Sequence, residues 1–179
     1  MNTGPESGAN RAAKDGGHRR GPLDARVVIV EYGDFECPAC AQAEPVIRLL
    51  LEQHPDAACV VFRHFPLREV HRNAERAAEA AEAAAAQGKF WEMADALFKN
   101  QLDLSDAALS RYATAIGLDI ERFQHELDAH THLKRVQDDM ESGMAKGVRA
   151  TPGFFLNDQL IDASFGLQRL SDSVRKALG

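Results

Sequence analysis

The chain's first clear pattern is a run of β-branched residues, Val27-Val28-Ile29-Val30. Such a run predicts a strand covered on both faces. From Ala43 the period lengthens: Ala43, Val46, Ile47, Leu50 and Leu51 fall at i, i+3, i+4, i+7 and i+8. That is the stripe of an amphipathic helix, and it stops near His54-Pro55. Pro45 lies inside the stripe and should bend the helix. Residues 58–65 read as a second strand ended by Pro66, so the helix would be the crossover of a right-handed βαβ unit. Residues 70–98 are helical in two parts, broken at Gly88. The first part, 74–86, is alanine-rich with charges on one side and is a strong helix former. The second carries the apolar stripe Phe90, Trp91, Ala94, Leu97 and Phe98. Ser105 and Asp119 predict N-caps of two short helices, with Gly117 closing the first. Thr131 is expected to cap a third, running to about Lys146 before Gly147. Residues 153–156 and 159–161 then flank Asn157-Asp158, a two-residue hairpin turn. Residues 167–178 form a last helix with Leu167, Leu170, Val174 and Leu178 on one face.

Two cysteines stand between the first strand and the first helix, in Cys37-Pro38-Ala39-Cys40. Pro38 suits the first helical turn, where a missing N–H costs nothing. Cys37 therefore falls at the helix N-terminus, with Cys40 one turn later. Unpaired backbone N–H groups and the positive end of the helix dipole favour a thiolate there, and the thiolate is the reactive form of cysteine. Cys40 is close enough to close a small disulfide ring with Cys37. The bland alternative is half of a zinc site. Structural zinc takes about four ligands, and neither a second C-x-x-C nor a histidine pair at finger spacing accompanies this one, so no metal is expected.

Four stretches together resemble the signatures of DsbA-like thiol–disulfide oxidoreductases. They are Glu31-Tyr32-Gly33-Asp34-Phe35-Glu36-Cys37-Pro38-Ala39-Cys40, Phe62-Arg63-His64-Phe65-Pro66-Leu67, Gly88-Lys89-Phe90-Trp91 and Gly147-Val148-Arg149-Ala150-Thr151-Pro152-Gly153-Phe154-Phe155-Leu156-Asn157. The resemblance spans roughly residues 22–178. It implies an α/β fold, the thioredoxin fold with an inserted all-helical domain. Residues 22–72 and 147–179 would form the thioredoxin-like domain and residues 73–146 the insertion. It implies Cys37 as nucleophile and Cys40 as resolving partner. It implies that Glu31, six residues before Cys37, is a buried acid that relays a proton to the second sulfur, its pKa raised by desolvation. It also implies a cis bond at Thr151–Pro152 opposite the cysteines, where the backbone pairs with an extended substrate. X–Pro bonds are cis in only about 5–6% of cases, so without the resemblance trans is expected. Pro38 and Ala39 complete the expected substrate-facing set. Some strongly oxidising relatives place histidine at the position of Ala39. Its absence, with Glu36 beside Cys37, predicts a milder oxidant. No bound cofactor is implied. The partners would be protein or small-molecule thiols and disulfides, and a redox-recycling partner.

Composition narrows the picture further. The 179 residues suffice for one domain with a sizeable insertion. A net charge of −6 argues against nucleic acid and anionic membrane surfaces as partners. No apolar run approaches the ~20 residues of a membrane span. The third cysteine, Cys59, sits in an apolar stretch and reads as a small buried hydrophobe. Residues 1–21 are rich in Gly, Asn, Arg and Ala and read as a disordered arm. They lack a signal peptide's apolar core, which predicts a cytoplasmic protein, or an exported one if the start is trimmed or misassigned. His64 reads as structural, Phe90-Trp91 as core. Two other functions compete with the oxidoreductase: a glutathione-dependent isomerase or transferase on the same fold, which usually lacks the second cysteine, and a non-catalytic peptide-binding adaptor.

Overall fold

A computed structural model describes residues 16–162 and 166–179. The chain divides into two compact units. One comprises the chain up to Tyr32 with Gln42–Arg63 and Pro152–Gly179; the other comprises Gly33–Ala41 and His64–Thr151.

The first unit is built on a mixed five-stranded sheet in the order β1-β3-β2-β4-β5. The strands are β1 (His18–Arg20), β2 (Val27–Gly33), β3 (Ala58–His64), β4 (Gly153–Leu156) and β5 (Gln159–Ile161). β2 and β3 are buried along their whole length, as their unbroken apolar runs require. They are joined by α1 (Pro38–Gln53), a crossover of the kind parallel neighbours need. The outer pairings, β1 with β3, β2 with β4 and β4 with β5, are antiparallel. The β4–β5 hairpin turns at Asn157-Asp158, whose φ values of 46° and 69° are those of a type I′ turn. Asn157 also serves β2. Its Oδ1 accepts from Val28 N at 2.8 Å, and its Nδ2 donates to Arg26 O at 3.2 Å. A last helix, α7 (Gln168–Leu178), buries Leu170 and Val174 and packs on β4.

Two differences from the sequence reading belong to this unit. His18–Arg20, inside the expected disordered arm, forms an edge strand registered on Val60–Phe62. Three residues carry no detectable period, and the pairing is long-range. Residues 1–15 of that arm lie outside the described residues. Gly21, which ends β1, has φ +114°, and a Cβ there would meet Ala58 O and the Cα of Cys59 at 2.8 Å, so no other residue fits. Cys59 is fully buried in β3, as expected. Burial pushes its thiol up against the opposing charge of Arg19.

The second unit is helical. It contains α2 (Ala74–Ala85), α3 (Phe90–Lys99), α4 (Asp106–Ala115), α5 (Ile120–Asp128) and α6 (Leu133–Ala145). α2 contacts all the other four, and its alanines explain how: small side chains let neighbouring backbones come close. Its charges do not simply face water. Glu79 and Glu82 are buried, Glu79 against His130 at 3.0 Å and Glu82 against His64 at 2.8 Å. Ser105 and Asp119 cap α4 and α5 as predicted, accepting from Ala108 N and Arg122 N. Thr131 does not cap α6. Its N–H donates to Glu126 O, closing α5, while His130 takes a left-handed φ of 50°. The residue before α6 is His132.

Candidate active site

The cysteine segment, Gly33–Ala41, belongs to the helical unit. β2 ends at Gly33, and α1 begins at Pro38, leaving Asp34-Phe35-Glu36-Cys37 as the turn. Phe35 anchors it. Its ring is buried, 4.9 Å from Phe98, 5.8 Å from His64 and 6.5 Å from Phe90 between centroids. Phe90 in turn meets Trp91 edge-on at 5.1 Å, so this pair is packing, as expected. Gln101 fixes the turn from outside. Its Nε2 donates to the carbonyls of Phe35 at 2.8 Å and Cys37 at 2.9 Å.

Cys37 caps α1. Its carbonyl accepts from Cys40 N at 3.1 Å and Ala41 N at 3.3 Å, and its own N–H donates to Asp34 O at 3.1 Å. Cys37 is 7% exposed and Cys40 0%, while Pro38 and Ala39 between them are exposed. Both cysteines are in the thiol form. The Cys37 thiol donates to Thr151 O at 3.5 Å, and Asp34 N donates to Cys40 Sγ at 3.4 Å. The Cys37 thiol is brought down from 9.0 to about 5. A hydrogen bond from Cys40 contributes most, burial opposes it, and Thr151 and the Cys40 and Ala39 amides add to it. The Thr151 hydroxyl is buried and makes no hydrogen bond. The placement expected at the start of the helix is therefore realised, with the first amides of α1 reaching the sulfur.

Asp34 is the residue that sequence reasoning missed. Its buried carboxylate accepts from Glu36 N at 2.8 Å, Leu67 N at 2.9 Å and His71 Nδ1 at 2.8 Å. Glu36 accepts from Asn73 N at 2.6 Å and Asn73 Nδ2 at 3.0 Å. Two acids of the turn thus fasten the segment 67–73. The only sequence signal was the Asp34-x-Glu36 spacing beside Cys37. Nothing local pointed to His71 or Gln101.

The remaining expected site residues fall as follows. Glu31 lies in β2, opposite Phe154 of β4, and is 2% exposed, a buried acid as the resemblance implies. Thr151 and Pro152 are half-buried and directly precede β4. His64 is fully buried on Glu82, a structural position, as expected.

A family model described as thioredoxin matches residues 13–176. The chain is 44% identical over 163 residues to the Na(+)/H(+) antiporter NhaA 3 of Salinispora tropica, covering 91% of this chain and 25% of that protein. It spans about a quarter of the length of the curated relatives it matches. Among solved structures it is similar to oxidised BdbD from Bacillus subtilis, with a TM-score of 0.81 at 23% identity over 91% of this chain and 93% of that one. A thioredoxin-like oxidoreductase from Silicibacter pomeroyi aligns with a TM-score of 0.75 at 28% identity, over 89% and 92% of the two chains. With a thioredoxin model over almost its whole described length, and with a helical block between the strands of its sheet, the chain belongs to the thioredoxin family and has the DsbA-like form of that fold.

Proposed function

We propose that the chain is a thiol–disulfide oxidoreductase that exchanges disulfides with protein or small-molecule thiols through Cys37-Pro38-Ala39-Cys40. The observation that carries this reading is the buried cysteine pair at the start of α1, with Cys37 Sγ 3.5 Å from Thr151 O, Cys40 Sγ 3.4 Å from Asp34 N, and hydrogen bonds led by Cys40 bringing the Cys37 thiol down to about 5. A sulfur of that acidity is a thiolate at neutral pH, both a nucleophile and a good leaving group. In the oxidising direction, a substrate thiolate attacks Cys37 Sγ of the Cys37–Cys40 disulfide. The substrate–Cys37 bond forms, the Cys37–Cys40 bond breaks, and Cys40 leaves as a thiolate that takes up a proton. A second substrate thiolate then attacks the substrate sulfur of the mixed disulfide, and Cys37 leaves as the thiolate. Two electrons pass from substrate dithiol to cysteine pair, and a redox partner removes them in the next cycle. Glu31 is our candidate for the proton donor to Cys40, supported by its burial in β2. Pro38 and Ala39, exposed beside Cys37, and the Thr151–Pro152 segment with a cis bond are our candidates for the substrate-facing surface, supported by the Thr151 carbonyl at 3.5 Å from Cys37 Sγ.

The participation of Cys40 in the acidity of Cys37 favours a two-cysteine cycle over a glutathione-dependent one. The antiporter relatives support a narrower reading of the partner: a membrane antiporter whose thiols this module serves, in the same polypeptide or as a separate chain.

The test is a set of three variants. Cys37→Ser should abolish dithiothreitol exchange and insulin reduction. Cys40→Ser should accumulate mixed disulfides, separable on non-reducing gels and identified by mass spectrometry. In the reducing direction, where Cys40 must give up its proton to attack the Cys37 mixed disulfide, Glu31→Gln should slow resolution more than formation. Full activity in Cys37→Ser sinks the assignment; equal rates in Glu31→Gln remove the relay. An antiporter among the trapped proteins supports the narrower reading, and its absence counts against it.

A further inference from the structure

Asp34 links both cysteines to the segment 67–73. Its N–H donates to Cys40 Sγ at 3.4 Å, its carbonyl accepts from Cys37 N at 3.1 Å, and its carboxylate accepts from His71 Nδ1 at 2.8 Å. The imidazole is therefore linked through Asp34 to the Cys40 sulfur and to the Cys37 backbone. The charge around it is lopsided. Asp34 and Glu36 are both acids of the turn, and ionised Cys37 adds a further negative charge. Pro38 and Ala39 carry no charge. The nearby Arg68 is paired with Glu75 at 3.0 Å. A thiolate beside two carboxylates needs a counter-charge, and the side chain aimed into this group is His71.

We propose that protonated His71, held by Asp34, is the counter-ion of the Cys37 thiolate, making Asp34–His71 a positioning pair that sets how strongly oxidising the cysteine pair is. The inference rests on the exchange chemistry proposed above. It supplies a cation beside a motif that lacks its own. The groups acting on His71 agree in sign: burial opposes its protonation most, but the hydrogen bond and charge of Asp34, then Cys37 and Glu36, together raise it above the ordinary histidine value. Coupling of two sites is reciprocal. If the Cys37 thiolate strengthens proton binding at His71, the imidazolium strengthens ionisation of Cys37. The disulfide carries no such charge, so His71 should bind its proton more weakly in the oxidised form than in the dithiol form.

Two measurements on the full chain test this. The first titrates the Cys37 thiolate by its absorbance near 240 nm and measures the redox equilibrium with glutathione, for the native chain, His71→Gln and His71→Lys. His71→Gln should lower the thiolate fraction below neutrality and make the pair roughly three- to tenfold less oxidising, the scale of losing one partly screened charge. His71→Lys should restore both. The second follows the His71 ring by NMR in the native protein, so it does not depend on any variant folding. Its titration midpoint should be higher in the dithiol form than in the disulfide form. An unchanged glutathione equilibrium in folded His71→Gln, or one His71 midpoint for both redox forms, overturns the counter-ion role while exchange itself persists. Absence of exchange in the native chain overturns the underlying function instead.

Discussion

A thiol pulled down to about 5 makes the stability of the reduced protein depend on pH. The sign follows from the direction of the shift. An acid whose folded pKa is depressed stabilises the fold above its unfolded pKa and loses that contribution as pH falls through the folded value. Here the window runs from about 9 down to about 5. At pH 7 the thiolate state accounts for roughly 3 kcal/mol of the reduced protein's stability, and at pH 4 for almost none. The disulfide form has no such dependence. Urea unfolding of both redox forms should therefore show the reduced form gaining on the oxidised one by roughly 3 kcal/mol between pH 4 and pH 7. A difference that stays flat over this range would mean that Cys37 is not ionised at neutrality. The cysteine itself was legible in the sequence because its position is local: strand, turn, proline, helix. The groups that tune it were not. Thr151 lies 114 residues away in the chain, Gln101 lies 64 away, and Asp34 reaches His71 across 37. No periodicity connects such positions.

At the scale of elements, the β4–β5 hairpin shows how one turn residue serves two strands. Asn157 accepts the left-handed φ of the turn at little cost, because its short polar side chain tolerates that region. The same side chain bonds Val28 N and Arg26 O, where β2 begins. Asn157→Ala removes both bonds and adds backbone strain, so it should cost roughly 2–3 kcal/mol in urea unfolding. Asn157→Gly keeps the backbone relaxed and should cost less. Equal midpoints for the native chain and Asn157→Ala would show that the turn contributes nothing. The hairpin was readable because Asn-Asp between two apolar runs is a local signal, and so were the caps Ser105 and Asp119. The failures have local causes as well. Thr131 has the chemistry of a cap, but it ends the turn that closes α5 and lies one position before His132, the residue that precedes α6. β1 is too short to show alternation, and only its pairing with β3 defines it.

For the whole molecule, the passages between the two compact units fall inside the very stretches that carried the family resemblance. The chain changes unit at 32/33, 41/42, 63/64 and 151/152, within or directly beside the Glu31–Cys40, Phe62–Leu67 and Gly147–Asn157 signatures. Fold class was legible because these crossings are fixed by strong local motifs, whereas the polar core of the helical unit was not, because its members look like ordinary helix charges. Asp139 is an example. Its position in α6 reads as a solvated face, yet it is fully buried. Its Oδ2 accepts from His64 N at 3.0 Å and its Oδ1 pairs with Arg135 at 2.8 Å. His64 bonds Glu82 in turn, so within the helical unit His64 is tied to α2 and α6 by one buried network. Asp139→Ala would remove the acceptor of the buried His64 amide and the nearer of two acids beside the Arg135 guanidinium. Breaking one member of such a network costs far more than the intact pair contributes, so the loss should be roughly 3–5 kcal/mol. The exposed pair Asp172–Arg175 on α7 is the control: Asp172→Ala should leave the urea midpoint unmoved, because exposed ion pairs contribute little. A midpoint for Asp139→Ala equal to that of Asp172→Ala would show that the network is not what holds His64 in place, and the burial of Glu82 and Asp139 would then need another explanation in the packing of α2 against α6.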